Sequence, residues 1–163
     1  MGVSGCGKTA VGQALAAELG WTFLDADDFH PESNVAKMAA GTPLTDEDRW
    51  PWLDRLDQEI AALEKQRKDA ILACSALKQA YRDRLTRRGR VRFVHLKGDF
   101  DTIAARLAAR AHRYMPPGLL ASQFATLEEP DDAIIVDVRL TVSEQVTQIR
   151  TALEHERQAA TRL

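Results

Sequence analysis

Residues 2–9 read GVSGCGKT and fit the pattern G-x-x-x-x-G-K-[S/T], a glycine-rich turn that leads straight into a helix. The glycines let the backbone curl until its N–H groups face an anion, and the positive end of the following helix strengthens the attraction. The pattern predicts a loop that binds nucleotide phosphates, with Lys8 on the β- and γ-phosphates and the Thr9 hydroxyl on Mg²⁺. The predicted loop residues are Gly2, Val3, Ser4, Gly5, Cys6, Gly7, Lys8 and Thr9.

Outside the loop, the composition is that of an ordinary globular protein. The 163 residues are 45% hydrophobic and 28% charged, and we expect a single domain over 1–163. A net charge of −2 disfavours non-specific nucleic-acid binding. No apolar run approaches the ~20 residues of a membrane helix. With two cysteines and no leader pattern, the sequence favours the cytoplasm.

Short β-rich runs alternate with helical patterns along the chain. The runs at 21–24, 70–74, 91–96 and 133–138 are almost continuously apolar, as in strands buried on both faces. Capping boxes at Thr45 and Thr141 mark two helix starts, Pro51 suits a first helical turn, and Asp101 is expected to cap a helix ending near Arg110. The alternation predicts an α/β fold, a parallel sheet sandwiched by helices.

Three acidic residues, Asp25, Asp27 and Asp28, follow the first of these runs. Ligands of open α/β sheets bind beyond the carboxyl ends of the strands, so these carboxylates should face the phosphate loop. There a carboxylate can hold a Mg²⁺-bound water or accept a proton from an acceptor hydroxyl. A solvated acidic turn is the alternative interpretation.

Basic residues form two further groups. Lys78 and Arg82 lie four apart in a helical pattern, and a solvated basic stripe would explain them equally well. Arg106 and Arg110 open a lid-like segment, about 106–124, that contains a Pro-Pro break. An arginine-rich segment of this kind can close over phosphates and neutralise charge, although an exposed helix face is the simpler alternative.

Taken together, these blocks resemble the gluconokinases. The matching stretches appear in family order and cover most of the chain: GVSGCGKT, FLDADDFHPESNVAKMAAGTPLTDEDRWPWL, CSALKQAYRDRL, VHLKGDFDTIAARLAAR and HRYMPPGLLASQFATLEEP. The resemblance implies a phosphate-loop kinase fold related to shikimate kinase. It also implies ATP and Mg²⁺ as cofactors, phosphoryl transfer to the C6 hydroxyl of D-gluconate to give 6-phospho-D-gluconate, and a homodimer.

The resemblance assigns roles to individual residues. Lys8, Asp27 and Arg110 would be catalytic, Asp27 by orienting the substrate hydroxyl and taking its proton. Thr9 and Asp25 would hold the metal, and Arg106 would contact the nucleotide. Two departures are Cys6, where the family usually has Ser, and the lid residues 111–114. The residues expected to bind gluconate are Asp27, His30, Lys37, Arg49, Lys78 and Arg82, with Arg49 on the carboxylate.

Two alternatives remain open at this point. One is a related kinase for shikimate or another sugar acid. The other is a non-catalytic nucleotide-binding remnant, because in this fold the strand that leads into the phosphate loop is central, in the order 2-3-1-4-5. Here that strand would have to precede Met1. We expect the chain as given to show a groove between two strands.

Overall fold

The computed structural model describes residues 1–109 and 117–161, which form alternating helices and short strands. The helices are α1 (Lys8–Leu19), α2 (Glu32–Ala39), α3 (Asp46–Gln66), α4 (Gln79–Leu85), α5 (Phe100–Ala108), α6 (Pro117–Thr126) and α7 (Val142–Thr161). The strands are β1 (Thr22–Asp25), β2 (Ala70–Ala73), β3 (Val94–Lys97) and β4 (Ile134–Asp137), and a 3-10 turn spans Ala26–Phe29. Within the described ranges, no helix combines the length and hydropathy needed to cross a membrane.

The strands form two parallel pairs. β1 pairs with β2, with Thr22 opposite Ala70, and β3 pairs with β4, with Val94 opposite Ile134. All four strands were predicted, and each is four residues long. The α/β fold class is confirmed. The parallel strands arise because a helix lies between each strand and the next, which leaves no tight hairpin.

Helices cover both faces of the strands. One hydrophobic cluster joins α1, α5 and α7 to β3 and β4, and a second joins α3 and α4 to the region following β2. Ile71 packs against the first cluster and its neighbour Leu72 against the second. Because successive strand side chains point to opposite faces, the two clusters lie on opposite sides. The predicted sandwich is therefore present.

Two local helix predictions were wrong. Asp99, not Asp101, caps α5, because its carboxylate accepts the Thr102 N–H at 2.7 Å. Pro51 lies inside α3 rather than in its first turn, because Thr45 and Asp48 form the capping box and the helix starts at Asp46. The capping residue, which satisfies free N–H groups, sets the boundary in both cases.

A groove separates the two strand pairs, as expected from the sequence. It encloses about 330 Å³ and is lined by β2 and β3 together with apolar residues of α1, α3 and α7. Met1 lies at one end, where its ammonium group donates to the Val94 carbonyl and its carbonyl accepts the Leu96 N–H. Met1 thus pairs with β3 as a parallel strand would.

Candidate active site

The phosphate loop adopts the backbone turn predicted for it. Gly5 and Gly7 have φ angles of 84° and 104°, in the left-handed region that disfavours side chains. A Cβ at Gly5 would also lie 2.7 Å from Leu107 Cγ, so α5 packs directly on the loop. α1 begins at Lys8, and no side chain caps its first turn. This leaves the end of the helix open toward an anion.

Lys8 and Thr9 extend from this turn toward opposite neighbours. Lys8 Nζ donates to the carbonyls of Gly2 and Val3, each at 3.0 Å, and so spans the loop. The Thr9 hydroxyl donates to Asp25 Oδ2 at 3.1 Å. This bond brings together the two residues predicted to hold the metal.

Asp25 and Asp27 lie where β1 gives way to the 3-10 turn. Asp25 Oδ1 accepts the Asp27 N–H at 3.1 Å and caps the turn. The Asp27 side chain is 73% exposed, so its carboxylate is available to a ligand. The strand end therefore directs one carboxylate toward Thr9 and leaves the other open.

The loop and the acidic turn share one cleft of about 410 Å³. Lys8, Thr9, Asp25 and Asp27 all line it. The α2–α3 connection at 42–44 and the cleft-facing side of α6 complete the walls. The fold thus brings the loop lysine and the exposed Asp27 carboxylate into a single space.

His30 lines the cleft beside Asp27. Its ring stacks on Trp52, with centroids 4.3 Å apart and planes 14° apart, and its Nε2 lies 4.0 Å from Asp27 Oδ1. Burial lowers the pKa of His30, Asp27 partly offsets the effect, and Arg49 adds to it. The Trp52 N–H donates to the Ala26 carbonyl at 2.7 Å, which fixes the stacking partner. The ring is therefore held rigidly and in its neutral form.

Arg49 lines the cleft together with His30 and Leu44. Its guanidinium donates to the Leu44 carbonyl at 2.5 Å and to the Tyr81 hydroxyl at 3.4 Å. These bonds use some of its five N–H donors and leave others for a ligand. Its Nη1 also lies 3.9 Å from Asp46 Oδ1. That Arg49 receives the carboxylate of a substrate stays a prediction.

Lys78 lies outside the cleft lining. Its ammonium group donates to both oxygens of Asp46, at 2.9 and 2.7 Å. The hydrogen bond from Lys78, followed by one from Tyr81, lowers the pKa of Asp46. Asp46 thus lies between Lys78 and Arg49, two basic residues predicted to bind substrate, and Asp46 itself was not predicted.

Lys37 and Arg82 also lie outside the lining of the cleft. Lys37 donates to Asp48 at 2.6 Å. Arg82 is only 2% exposed, and its guanidinium donates to the carbonyls of Ala76 and Leu77 at 3.0 and 3.1 Å. In this structure Arg82 holds together the segment that precedes α4. The sequence placed Lys78 and Arg82 in one helical pattern, but α4 begins at Gln79, so Lys78 precedes the helix.

Gln123 of α6 contacts the phosphate loop and was missed in the sequence. Its Oε1 accepts the Ser4 N–H at 2.6 Å, and its Nε2 donates to the Ser4 hydroxyl at 3.1 Å. The specific run SQFATLEEP was the available signal, but spacing alone could not show which of its side chains faces the loop. The contact fastens α6 to the loop from across the cleft.

The remaining predicted residues are placed as follows. Arg106 donates to the Val138 carbonyl at the end of β4. Cys6, although part of the loop, is fully buried in the first hydrophobic cluster. Arg110 and the lid residues 111–116 lie outside the described residues.

Comparisons with known proteins identify the family. The family profile for shikimate kinase matches residues 4–154. The chain is 44% identical over 159 residues to the thermosensitive gluconokinase of Escherichia coli K12, covering 94% of this chain and 84% of that protein. It is 47% identical over 135 residues to the gluconokinase of Gluconobacter oxydans 621H, covering 81% and 75%.

Solved structures point the same way. A sugar kinase from Janibacter superposes with a TM-score of 0.89 at 44% identity, covering 94% of this chain and 91% of that one. A gluconokinase from Sinorhizobium meliloti 1021 gives 0.84 at 39%, covering 97% and 94%. An APS kinase from Mycobacterium tuberculosis, at 18% identity and a TM-score of 0.70, shares the fold alone. The chain therefore belongs to the gluconokinase family, with the phosphate-loop kinase fold.

Proposed function

We propose that this protein transfers the γ-phosphoryl group of ATP to the C6 hydroxyl of D-gluconate, giving 6-phospho-D-gluconate and ADP. The observation that carries the proposal is the single cleft that holds Lys8, Asp27 and Arg49 in its walls. A kinase needs a phosphate cradle, a proton acceptor and, for a sugar acid, a cation for the carboxylate. Family membership supports gluconate as that acid.

The loop fits a Mg²⁺–nucleotide. Its glycine turn leaves backbone N–H groups open to phosphate oxygens, and Lys8 supplies a positive charge beside them. Thr9 and Asp25 offer hard oxygen donors, which Mg²⁺ prefers. Among the described residues, no cluster of three or more His, Cys, Asp or Glu side chains could hold a metal ion. Mg²⁺ would thus use Thr9, Asp25 through water, and phosphate oxygens, and it would neutralise charge on the transferred group.

The acceptor side positions the sugar acid. Arg49 would pair with the carboxylate, and Asp27 would accept the hydrogen bond of the C6 hydroxyl and take its proton late in the transfer. Catalysis then consists mainly of positioning and charge neutralisation, as in other phosphoryl transfers. The roles that the resemblance implies for the other basic residues remain proposals: gluconate binding by Lys37, Lys78 and Arg82, nucleotide contact by Arg106 and catalysis by Arg110.

A coupled assay for ADP release with D-gluconate, shikimate and other sugar acids tests the proposed reaction. We expect turnover with gluconate and at least tenfold lower kcat/KM with every other acid. Turnover restricted to shikimate, or ATP binding without turnover of any acid, would refute the proposal.

The family resemblance also supports a homodimer in the cytoplasm. Light scattering coupled to size-exclusion chromatography would measure the mass of the assembly in solution. A single species at the mass of one chain would contradict the dimer.

A further inference from the structure

Asn34 is a buried polar residue with no role in the site described so far. It lies in the first turn of α2 and is only 2% exposed. Its amide nitrogen lies 2.8 Å from the Asp48 carbonyl oxygen and 3.3 Å from His30 Nδ1. Because both hydrogen-bond partners are present, burying the amide costs little free energy, and the two contacts fix the orientation of the side chain.

The chemistry of these two partners determines which atom donates in each hydrogen bond. The Asp48 carbonyl can only accept, so the end of the Asn34 amide that faces it must be the NH₂ group. The second hydrogen of that nitrogen is left for His30, so Nδ1 must accept it. A neutral imidazole that accepts at Nδ1 carries its proton on Nε2.

The surroundings keep His30 neutral and in place. Stacking on Trp52 fixes the ring plane. Burial lowers the His30 pKa, and the charged groups that act on it are Asp27, which raises it, and Arg49, which lowers it. The Nε2–H group therefore points into the cleft next to Asp27.

We propose that Asn34 is a positioning residue that locks His30 as a neutral Nε2–H donor toward the acceptor hydroxyl. Nε2 and Asp27 Oδ1 are 4.0 Å apart, so one hydroxyl oxygen can lie within hydrogen-bond distance of both. That hydroxyl accepts from His30 and donates to Asp27. This orients the oxygen lone pair that attacks and leaves Asp27 as the proton acceptor.

The His30 tautomer can be measured in the protein without substrate. Its effect on gluconate binding rests on the proposed function. Nitrogen NMR of protein labelled with ¹⁵N-histidine distinguishes the two tautomers without substrate. At pH 8 we expect the wild-type His30 signal to show the proton on Nε2. A proton on Nδ1 in the wild-type protein would overturn the inference.

The variant Asn34→Asp reverses the polarity of the contact. A carboxylate can only accept, so His30 should move its proton to Nδ1. The KM for gluconate should then rise about tenfold, because the hydroxyl loses a donor, while the KM for ATP stays within about twofold. An unchanged tautomer, or equal changes in both KM values, would contradict the positioning role.

Two further variants make the result decisive. Asn34→Ala removes the contact without adding charge, and we expect a mixture of both tautomers together with a smaller rise in the KM for gluconate. Val35→Ala is the matched control, because Val35 is the next residue of α2 and is 50% exposed. It should change neither the His30 signal nor the kinetics.

A wild-type protein with the Nε2–H form but no gluconate turnover would refute the proposed function and still support the tautomer.

Discussion

At the scale of single residues, exposure and partners distinguish the groups that face a ligand from those that support the fold. Asp27 is largely exposed at the cleft, whereas Arg82 is buried and bonded to backbone carbonyls. Both were predicted to bind substrate. The contrast makes Asp27 the sharper target for mutation.

Asp27→Asn should lower kcat about 100- to 1,000-fold, because the amide cannot take the proton of the acceptor hydroxyl. Nucleotide affinity should stay within about twofold, since the phosphate loop is untouched. Steady-state kinetics and nucleotide titration measure the two effects. Asp28→Asn, at the exposed neighbouring position, is the matched control and should retain wild-type turnover. Equal losses of turnover and nucleotide affinity in Asp27→Asn would count against its role.

His95 makes stability depend on pH. It is 1% exposed in β3, and burial, reinforced by the Met1 ammonium group, lowers its pKa to about 4. The unfolded chain, with a His pKa near 6.5, binds the proton more readily. Above pH 6.5, His95 is neutral in both states and does not reduce the free energy of unfolding. That free energy falls as the pH drops from about 6.5 toward 4.

Between pH 7.5 and 5, His95 should therefore cost the wild-type protein about 2 kcal/mol of unfolding free energy. Between the same two pH values, the loss of unfolding free energy should be about 2 kcal/mol smaller in His95→Leu than in the wild-type protein. Urea unfolding at the two pH values measures the difference. His155→Gln, at an exposed site on α7, is the control and should follow the wild-type protein. Parallel losses in wild type and His95→Leu would exclude the effect.

At the scale of elements, the cleft depends on how α6 docks against the phosphate loop. Gln123 makes two hydrogen bonds to Ser4, one to its N–H and one to its hydroxyl. Leu107 of α5 fills the space above Gly5. The loop is therefore held by helices distant in sequence as well as by its own glycines.

A double-mutant cycle of Ser4→Ala and Gln123→Ala should show a coupling of about 1 kcal/mol in unfolding free energy, the contribution of one hydrogen bond. Chemical denaturation of the four proteins measures it. Ser122→Ala, on the adjacent residue of α6, should be additive with Ser4→Ala. Additivity in the Gln123 cycle as well would mean that the hydrogen bond between the two side chains contributes nothing in solution.

At the scale of the whole molecule, the groove between β2 and β3 interrupts the sheet. In the described chain β2 pairs only with β1, and β3 pairs with β4 and with Met1. The Met1 ammonium group is buried at the end of the groove, and burial lowers its pKa to about 6. Unpaired backbone groups reduce stability, and so does burial of an amine that would be charged in water.

An added segment of four or five apolar, β-branched residues before Met1 should fill the groove as a parallel strand. It would bond both open edges and move the ammonium group into solvent. We expect Tm to rise by about 4–8 °C, equivalent to roughly 2 kcal/mol for a chain of this size. A Gly-Ser extension of equal length, followed by the same thermal melt, is the control. Equal melting of the two extended proteins would show that the groove does not accept a strand.

The sequence by itself determined the phosphate loop, the alternation of strands and helices, and the family, because these features depend on residue type at short spacing. The tertiary structure alone decided which polar residues meet. Asn34 reaches His30 and Asp48, Lys78 is neutralised by Asp46 from 32 residues away, and Gln123 reaches Ser4 from 119. Helical periodicity shows which residues share a face, but it carries no information about the distant carbonyl or carboxylate opposite that face. Such pairings appear only once the chain has packed.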